Sequence, residues 1–594
     1  MNLFAELKRR NVFRAAAFYA ASAWLLVQVA TQVFPFFHIA EWVVRWIVIA
    51  AVIGFPFALL FSWFYEWTPQ GIVRESEIAT DASITRQTGK KLDRWIIAIL
   101  GVAVVLLLAD KFVLHKDAGD TLDKSIAVLP LVNESGDPQQ DYFSDGLSEE
   151  LISALAQVHD LRVIGRSSSF RFRGKQQDDM ASIGVKLGVA TLLEGTVRKQ
   201  GDQVRIVASL IKAVDGSELW SQTYDRELKD VFAMQSEIAT SVAVALKTTL
   251  LGKAIESADK PPSGNLDAYN ALLQGRFYAA RRNRVDYLTA VDYYQQAIKL
   301  DPDYAMAYAR LALAQQWFND WLANAEERKA TGPLARANAN RALALDPRSS
   351  VAMGVLGINQ SWSDFDMAKG EATLKRAVAL DPTNAETLYQ FADITGCLGR
   401  LDEAIAMMRK ALTMEPLNAQ FHFNIGQFLL ANGRLDEAES ELRRAIDLQP
   451  TAETFRLILT LAYVKHGKLD EALATAKAEP NAGYQRSALA MTWFARGDNV
   501  QGQAQLADMI RIDADFQPAN IAEVYAFRGD ADQAFVWLDR AFATRDTGVA
   551  AIYEDPFFVP ALRNDPRLAA FMKKVGLPDP STVPDPWAKQ AAKP

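Results

Sequence analysis

The feature that most constrains this 594-residue chain is a period. Asp346-Pro347, Asp381-Pro382, Glu415-Pro416 and Gln449-Pro450 place their prolines 35, 34 and 34 residues apart. Asp301-Pro302 lies 45 residues before Pro347, so that unit carries an insertion. The phrase at Gly399–Ala404 returns at Gly433–Ala438 and Gly467–Ala472, with weaker echoes at Gly497–Ala504 and Gly529–Ala534. Alanines recur just before each of these pairs: Ala297, Ala342, Ala377, Ala411 and Ala445. A fixed period of this length predicts stacked units, none able to bury its apolar face alone. Small residues such as Ala438 and Ala445 let two helices approach closely. Gly433 ends one helix, Leu435 and Asp436 open the next, and Pro450 stops it.

These residues resemble the tetratricopeptide repeat, a 34-residue helix–turn–helix unit. The resemblance implies an all-α superhelix over residues 265–577. Seven or eight repeats fall between Asn265 and Thr544, closed by a capping helix over Phe557–Val575. Residues 578–594, bearing Pro and Lys, are expected to be disordered. Ile358 and Thr460 stand where Gly426 sits in its own repeat, which predicts looser crossings there.

Such arrays enclose a concave groove. The register turns Asn359, Trp362, Tyr389, Asp393, Phe423, Gln427 and Leu461 toward it. Tyr389 and Phe423 share one repeat position, and Asp393 and Gln427 share another, one turn further along. Alternating aromatic and polar rows suit an extended peptide. Packing between helices is the competing reading for each residue. The mixture differs from the Lys/Asn clamp that some tetratricopeptide proteins use for C-terminal carboxylates.

From Ser125 the texture is that of a small α+β domain over 121–228. Strands are expected at Ser125–Val132, Leu161–Ile164, Thr191–Arg198, Gln203–Lys212 and Glu218–Tyr224, with a hairpin at Gln200-Gly201-Asp202. Helices are expected at Phe143–Val158 and Met180–Leu187, with a helix from Asp230 to Leu251 and a linker filling 229–264. Four phrases carry a resemblance. They are residues 125–156 (SIAVLPLVNESGDPQQDYFSDGLSEELISALA), 161–170 (LRVIGRSSSF), 192–198 (LLEGTVR) and 218–226 (ELWSQTYDR). Together they resemble the bacterial FlgO-like, or TolB N-terminal-like, domain, which implies a position outside the inner membrane and supplies no catalytic residue. Ser167-Ser168-Ser169 lies eight residues after His159 at its nearest member, but no nucleophile elbow surrounds it.

Three apolar stretches near the N-terminus, about 13–34, 42–65 and 95–114, reach the length of about 20 residues that a bilayer span needs. Trp42, Trp46, Trp63, Tyr65, Trp67 and Trp95 mark their ends. Basic residues fall four before the first stretch, one by the next loop, five in the second loop and two after the third. That asymmetry predicts a bacterial inner-membrane protein with a cytoplasmic N-terminus and periplasmic C-terminal domains. The expected architecture is three transmembrane helices within residues 1–120, then the α+β domain, then the repeat superhelix.

Net charge is −7, which opposes nucleic-acid binding. One cysteine, Cys397, and five scattered histidines offer no metal-ligand cluster, so no metal or cofactor is expected. No P-loop or HExxH motif occurs. The sequence therefore reads as a non-enzymatic, membrane-anchored scaffold whose groove binds a protein or peptide. The alternative is a sensor passing a periplasmic signal to a cytoplasmic partner.

Overall fold

A computed structural model describes residues 47–57, 65–68, 71–74, a few positions between 16 and 27, and 124–587 except 159, 175–178, 247–259, 282 and 324. The chain divides into two units, Met1–Thr121 and Leu122–Pro594.

The first unit corrects the membrane reading. Among the described residues no helix is long and apolar enough to cross a membrane. Inside the second expected span the described helix covers only 47–57. At that span's end the chain leaves helical geometry, forming an antiparallel hairpin of β1 (Tyr65–Thr68) and β2 (Gly71–Arg74). Hydropathy measures apolar length but not whether the backbone keeps the helical hydrogen bonds that a span requires. The third stretch, 95–114, lies outside the described residues. The three transmembrane helices, the inner-membrane localisation and the integral-membrane partner are withdrawn on this finding.

The second unit opens with a mixed sheet. Its strands are β3 (Ser125–Val128), β4 (Val132–Asn133), β5 (Arg162–Ile164), β6 (Thr191–Gln200), β7 (Gln203–Lys212) and β8 (Glu218–Glu227). The order is β5-β3-β6-β7-β8, with β4 beside β6. β3 runs parallel to both neighbours, whereas β6, β7 and β8 form an antiparallel meander. Gly201 supplies the positive φ of 59° that the β6–β7 turn needs. Helices α1 (Asp141–Leu155) and α4 (Val231–Ala245) cover one face, burying Leu147, Leu151 and Ile238 against Val204, Ile206 and Leu210. Two short helices, α2 (Arg166–Ser169) and α3 (Met180–Leu187), lie between them in sequence; Asp179 caps α3 through the Ala181 amide at 3.2 Å.

Helix pairs follow. They are α5/α6 (Leu266–Ala279, Arg284–Leu300), α7/α8 (Ala305–Trp321, Ala325–Leu345), α9/α10 (Ser350–Ile358, Met367–Leu380) and α11/α12 (Ala385–Cys397, Leu401–Met414). Next come α13/α14 (Ala419–Ala431, Leu435–Leu448), α15/α16 (Phe455–His466, Leu469–Lys477), α17/α18 (Ala482–Ala495, Asn499–Ile512) and α19/α20 (Pro518–Phe527, Ala531–Ala543). The repeated residues do local work. Gly433 has φ 74°, and the Arg434 amide reaches back to Leu429 O at 2.9 Å while Gly433 N reaches Leu430 O at 3.0 Å. This left-handed cap satisfies carbonyls that the helix end leaves open. Ala297, Ala342, Ala377, Ala411 and Ala445 are fully buried, and each carbonyl accepts from the residue just before the proline. The next helix then starts on an asparagine: Asn418 accepts from Gln420 N and Phe421 N, and Asn384 acts likewise for α11.

Two expectations about the array change. The Ile358 repeat does not cross loosely, because Gly357 and Gly370 face each other so closely that a Cβ on either meets the other's carbonyl oxygen at 3.2 or 2.7 Å. The chain after α9 then winds into a single π turn over Asn359–Ser363. The tail also differs. Where disorder was expected from 578 onward, the described part up to Trp587 is packed: its indole donates to Ala431 O at 3.1 Å, and Lys465 sits 4.4 Å over that ring.

The array closes on itself. Phe365 stacks on Phe542 at 4.9 Å, and the Arg545 guanidinium donates to Ser363 O at 2.8 Å. A short turn, Ile552–Glu554, enters the inner face, followed by helices α21 (Phe558–Leu562) and α22 (Pro566–Val575) where one capping helix was expected.

Candidate functional site

Closure converts the groove into an inner cavity of about 220 Å³. Trp362, Asp393, Phe423, Gln427 and Leu461 line it, five of the seven residues that the repeat register turns inward. Asn359 and Tyr389 do not. Asn359 is fully buried in a satisfied polar knot, accepting from Arg336 Nε at 2.7 Å and donating to Gln316 Oε1 and Gly332 O, each at 3.1 Å. Tyr389 stacks between Trp317 and Phe421, with centroids 6.4 and 5.7 Å away. Phe423 is 3% exposed and stacks on Phe455 at 4.5 Å, so its ring is held by packing as well as facing the cavity.

The register did not reveal the cavity's charge. Asp320, Asp393, Glu523, Asp546, Glu554 and Asp555 all line it, and Arg328 faces them. Asp320 takes two hydrogen bonds from Gln316 Nε2 and one from Asn319 Nδ2, yet burial lifts it to about 6. Asp393 is lifted to about 7 by burial and then by the Asp320 charge. Glu554 accepts from Cys397 Sγ at 3.3 Å and Gln427 Nε2 at 3.2 Å, and burial followed by Asp393 pushes it well up. Burial and the neighbouring Asp555 push Glu523 up in the same way. Like charges in a space poor in water cannot all ionise.

Four side chains lining the cavity have buried polar atoms without a partner, among them Arg328 at Nε and Nη1 and Trp362 at Nε1. Gln517 is 4% exposed, and neither its Oε1 nor its Nε2 has a hydrogen-bond partner; Glu523 Oε1 also lacks one. A buried polar group without a partner costs about 1–3 kcal/mol, so these atoms favour a guest that completes them. The carboxylates favour a cation. Chemically, the cavity can accept an ammonium or guanidinium group carried on an apolar stem, with Phe423 and Leu461 as walls. Among the described residues no group of three or more Asp, Glu, His or Cys side chains has the geometry to hold a metal ion.

The six carboxylates come from α7, α11, α19 and the 546–555 segment, and no single repeat contains more than a fraction of them. The Asp393 and Asp320 signals were present as polar residues late in first helices. The Glu554 signal lay in a turn with no repeat signature.

One family match agrees with the helical array. Residues 396–453 match the family described as tetratricopeptide repeat. A protein described as putative adenylate cyclase 3 of Rhizobium meliloti (strain 1021) is 36% identical over 199 residues, which cover 33% of this chain and 34% of that protein. The chain thus spans about a third of that relative's length. Among solved structures, pilF of Pseudomonas aeruginosa covers 35% of this chain and 91% of its own, at 16% identity and TM-score 0.29. YrrB, described as a TPR protein with an unusual peptide-binding site, covers 36% and 96%, at 16% identity and TM-score 0.24.

Proposed function

We propose that this protein is a non-catalytic interaction scaffold whose inner cavity receives a basic side chain of a protein or peptide. The domain division at about 121, 229, 265 and 578 is part of the same reading, with the α+β domain FlgO-like on its sequence phrases. The observation that carries it is the enclosed carboxylate cluster beside Gln517, whose amide has no partner. A lysine or arginine entering there replaces carboxylate repulsion with charge-assisted hydrogen bonds. Trp362, Phe423 and Leu461 contact the stem, while Asp393 and Gln427 receive the head group.

Fluorescence anisotropy with a labelled lysine-containing pentapeptide, beside the same peptide with glutamate in place of lysine, tests this on the full chain. Only the lysine peptide should bind, more tightly at pH 8 than at pH 5.5, because ionised carboxylates hold the cation. The double change Asp320→Asn and Asp393→Asn should weaken binding at least tenfold. Equal binding of both peptides, or an unaffected double variant, would refute the proposal.

A further inference from the structure

A second cavity, of about 540 Å³, lies between the sheet domain and the repeat array. The seam around it is built on the repeat's own turn. At Glu415-Pro416 the carboxylate, instead of closing its local turn, accepts from Ser167 N at 3.2 Å, Ser167 Oγ at 2.7 Å and Ser168 N at 2.8 Å. Gly165 N donates to Met414 O at 2.9 Å, and Leu417 N donates to Ser168 Oγ at 2.9 Å. The serine run therefore joins the domain to the array.

The cavity beside that joint is rich in arginine. Arg276 is spoken for, 3.1 Å from Glu150, and Arg166 lies 3.2 Å from Glu149. Arg171 and Arg310 also line the cavity, and among the described residues neither has a carboxylate within ion-pair distance. Arg310 Nε is buried without a hydrogen-bond partner. Arg171 donates to Leu448 O, and burial and the nearby Arg444 both disfavour its charge. Two unneutralised guanidiniums facing one space match a doubly charged anion, and their planar forks match phosphate oxygens. The first turns of α11 and α13 also border the cavity, at Glu386 and Gln420. Their positive dipole ends favour an anion, and the carboxylates that also line the cavity, Glu149, Glu386 and Glu415, are outnumbered by its five arginines, Arg166, Arg171, Arg276, Arg281 and Arg310. Trp317 and Phe421 also line the cavity and give it apolar surface. The volume falls within the range of about 300–1,000 Å³ usual for small-molecule sites.

We propose that this cleft is a binding site for a phosphomonoester dianion carried on an apolar or aromatic body, with Arg171 and Arg310 on the phosphate and Trp317 and Phe421 on the body. The site straddles the two parts of the unit, so an occupant bridges them directly.

Isothermal titration calorimetry on the full chain tests this with phenyl phosphate, inorganic phosphate and benzoate as probes. Phenyl phosphate should bind, inorganic phosphate at least fivefold more weakly, and benzoate not measurably. Arg310→Gln and Arg171→Gln should each weaken phenyl phosphate at least tenfold. Arg310→Lys, which keeps the charge and loses the fork, should weaken it less than Arg310→Gln and serves where the glutamine variant melts early. No heat with phenyl phosphate at millimolar concentration, equal affinity for either other probe, or wild-type affinity in Arg310→Lys and the folded glutamine variants would overturn the proposal.

Discussion

The two cavities share walls and differ in sign. Helices α7, α11 and α13 each contribute to both. Arg310, Glu386 and Phe421 lie toward their N-terminal ends and border the arginine cleft. Asp320, Asp393 and Gln427 lie toward their C-terminal ends and border the acidic cavity. A helix carries partial positive charge at its start and partial negative charge at its end. Stacking repeats in register lines up those ends, so the array offers one anion-favouring rim and one cation-favouring rim before any side chain is chosen. Arg310 on one rim and Asp320 and Asp393 on the other add to the matching sign, whereas Glu386 on the first and Arg328 in the acidic cavity oppose it. Closure then separates the two environments. The acidic side is bordered by the chain's own 552–558 segment, whereas the basic side is completed by the sheet domain.

The comparison breaks first at Phe423. Phe423→Ala removes a buried ring stacked on Phe455 and should cost about 3–5 kcal/mol, seen as a lower melting temperature. The acidic cavity should lose the lysine peptide, whereas phenyl phosphate should keep its place in the arginine cleft wherever the variant is still folded. Coupling through neighbouring repeats confines the damage. A variant with an unchanged melt would place Phe423 outside the packed core.

The sign difference should also be legible in pH. Asp393 is held protonated up to about 7 in the folded protein, against about 4 for an unfolded aspartate. Between those values the folded state binds the extra proton, so stability falls as pH rises from about 4 through 7. Asp393→Asn should make that slope shallower and raise stability at pH 8, with Asp320, Glu523 and Glu554 carrying what slope remains. Arg310→Gln should leave the slope intact. Melting temperatures from pH 5 to 8 check both; a slope unchanged by Asp393→Asn would assign the titration to another group.

The smallest effect expected is a control. Gly433 sits at the α13–α14 turn with φ 74°. Gly433→Ala forces an alanine into the left-handed region at a cost of about 1 kcal/mol. Denaturant midpoints should fall slightly, and both probes should bind as before. Loss of either probe would show that the repeat turn sets cavity geometry.

Much of this was legible in the residues. The period, the alanines before each proline and the left-handed glycines are local signals, because each acts on a backbone a few residues away. The same holds for the sheet domain, whose alternating Val204, Ile206, Ala208 and Leu210 gave β7 and whose Gln200-Gly201-Asp202 gave the hairpin. The N-terminal apolar runs misled: among the described residues no helix is long and apolar enough to cross a membrane, and the second run ends in a strand at Tyr65.

By itself, then, the sequence determined the repeat and the turn signals that punctuate it. Only the tertiary structure decided that the groove closes, because that rests on Phe365 meeting Phe542, a contact between residues with no shared pattern. It alone brought Glu554 to Cys397 and Gln427, and Glu415 to Ser167 across 248 positions. A periodic sequence encodes what each unit does to its neighbour. The charge of an enclosed space depends on which distant units the superhelix brings together, and no single period carries that information.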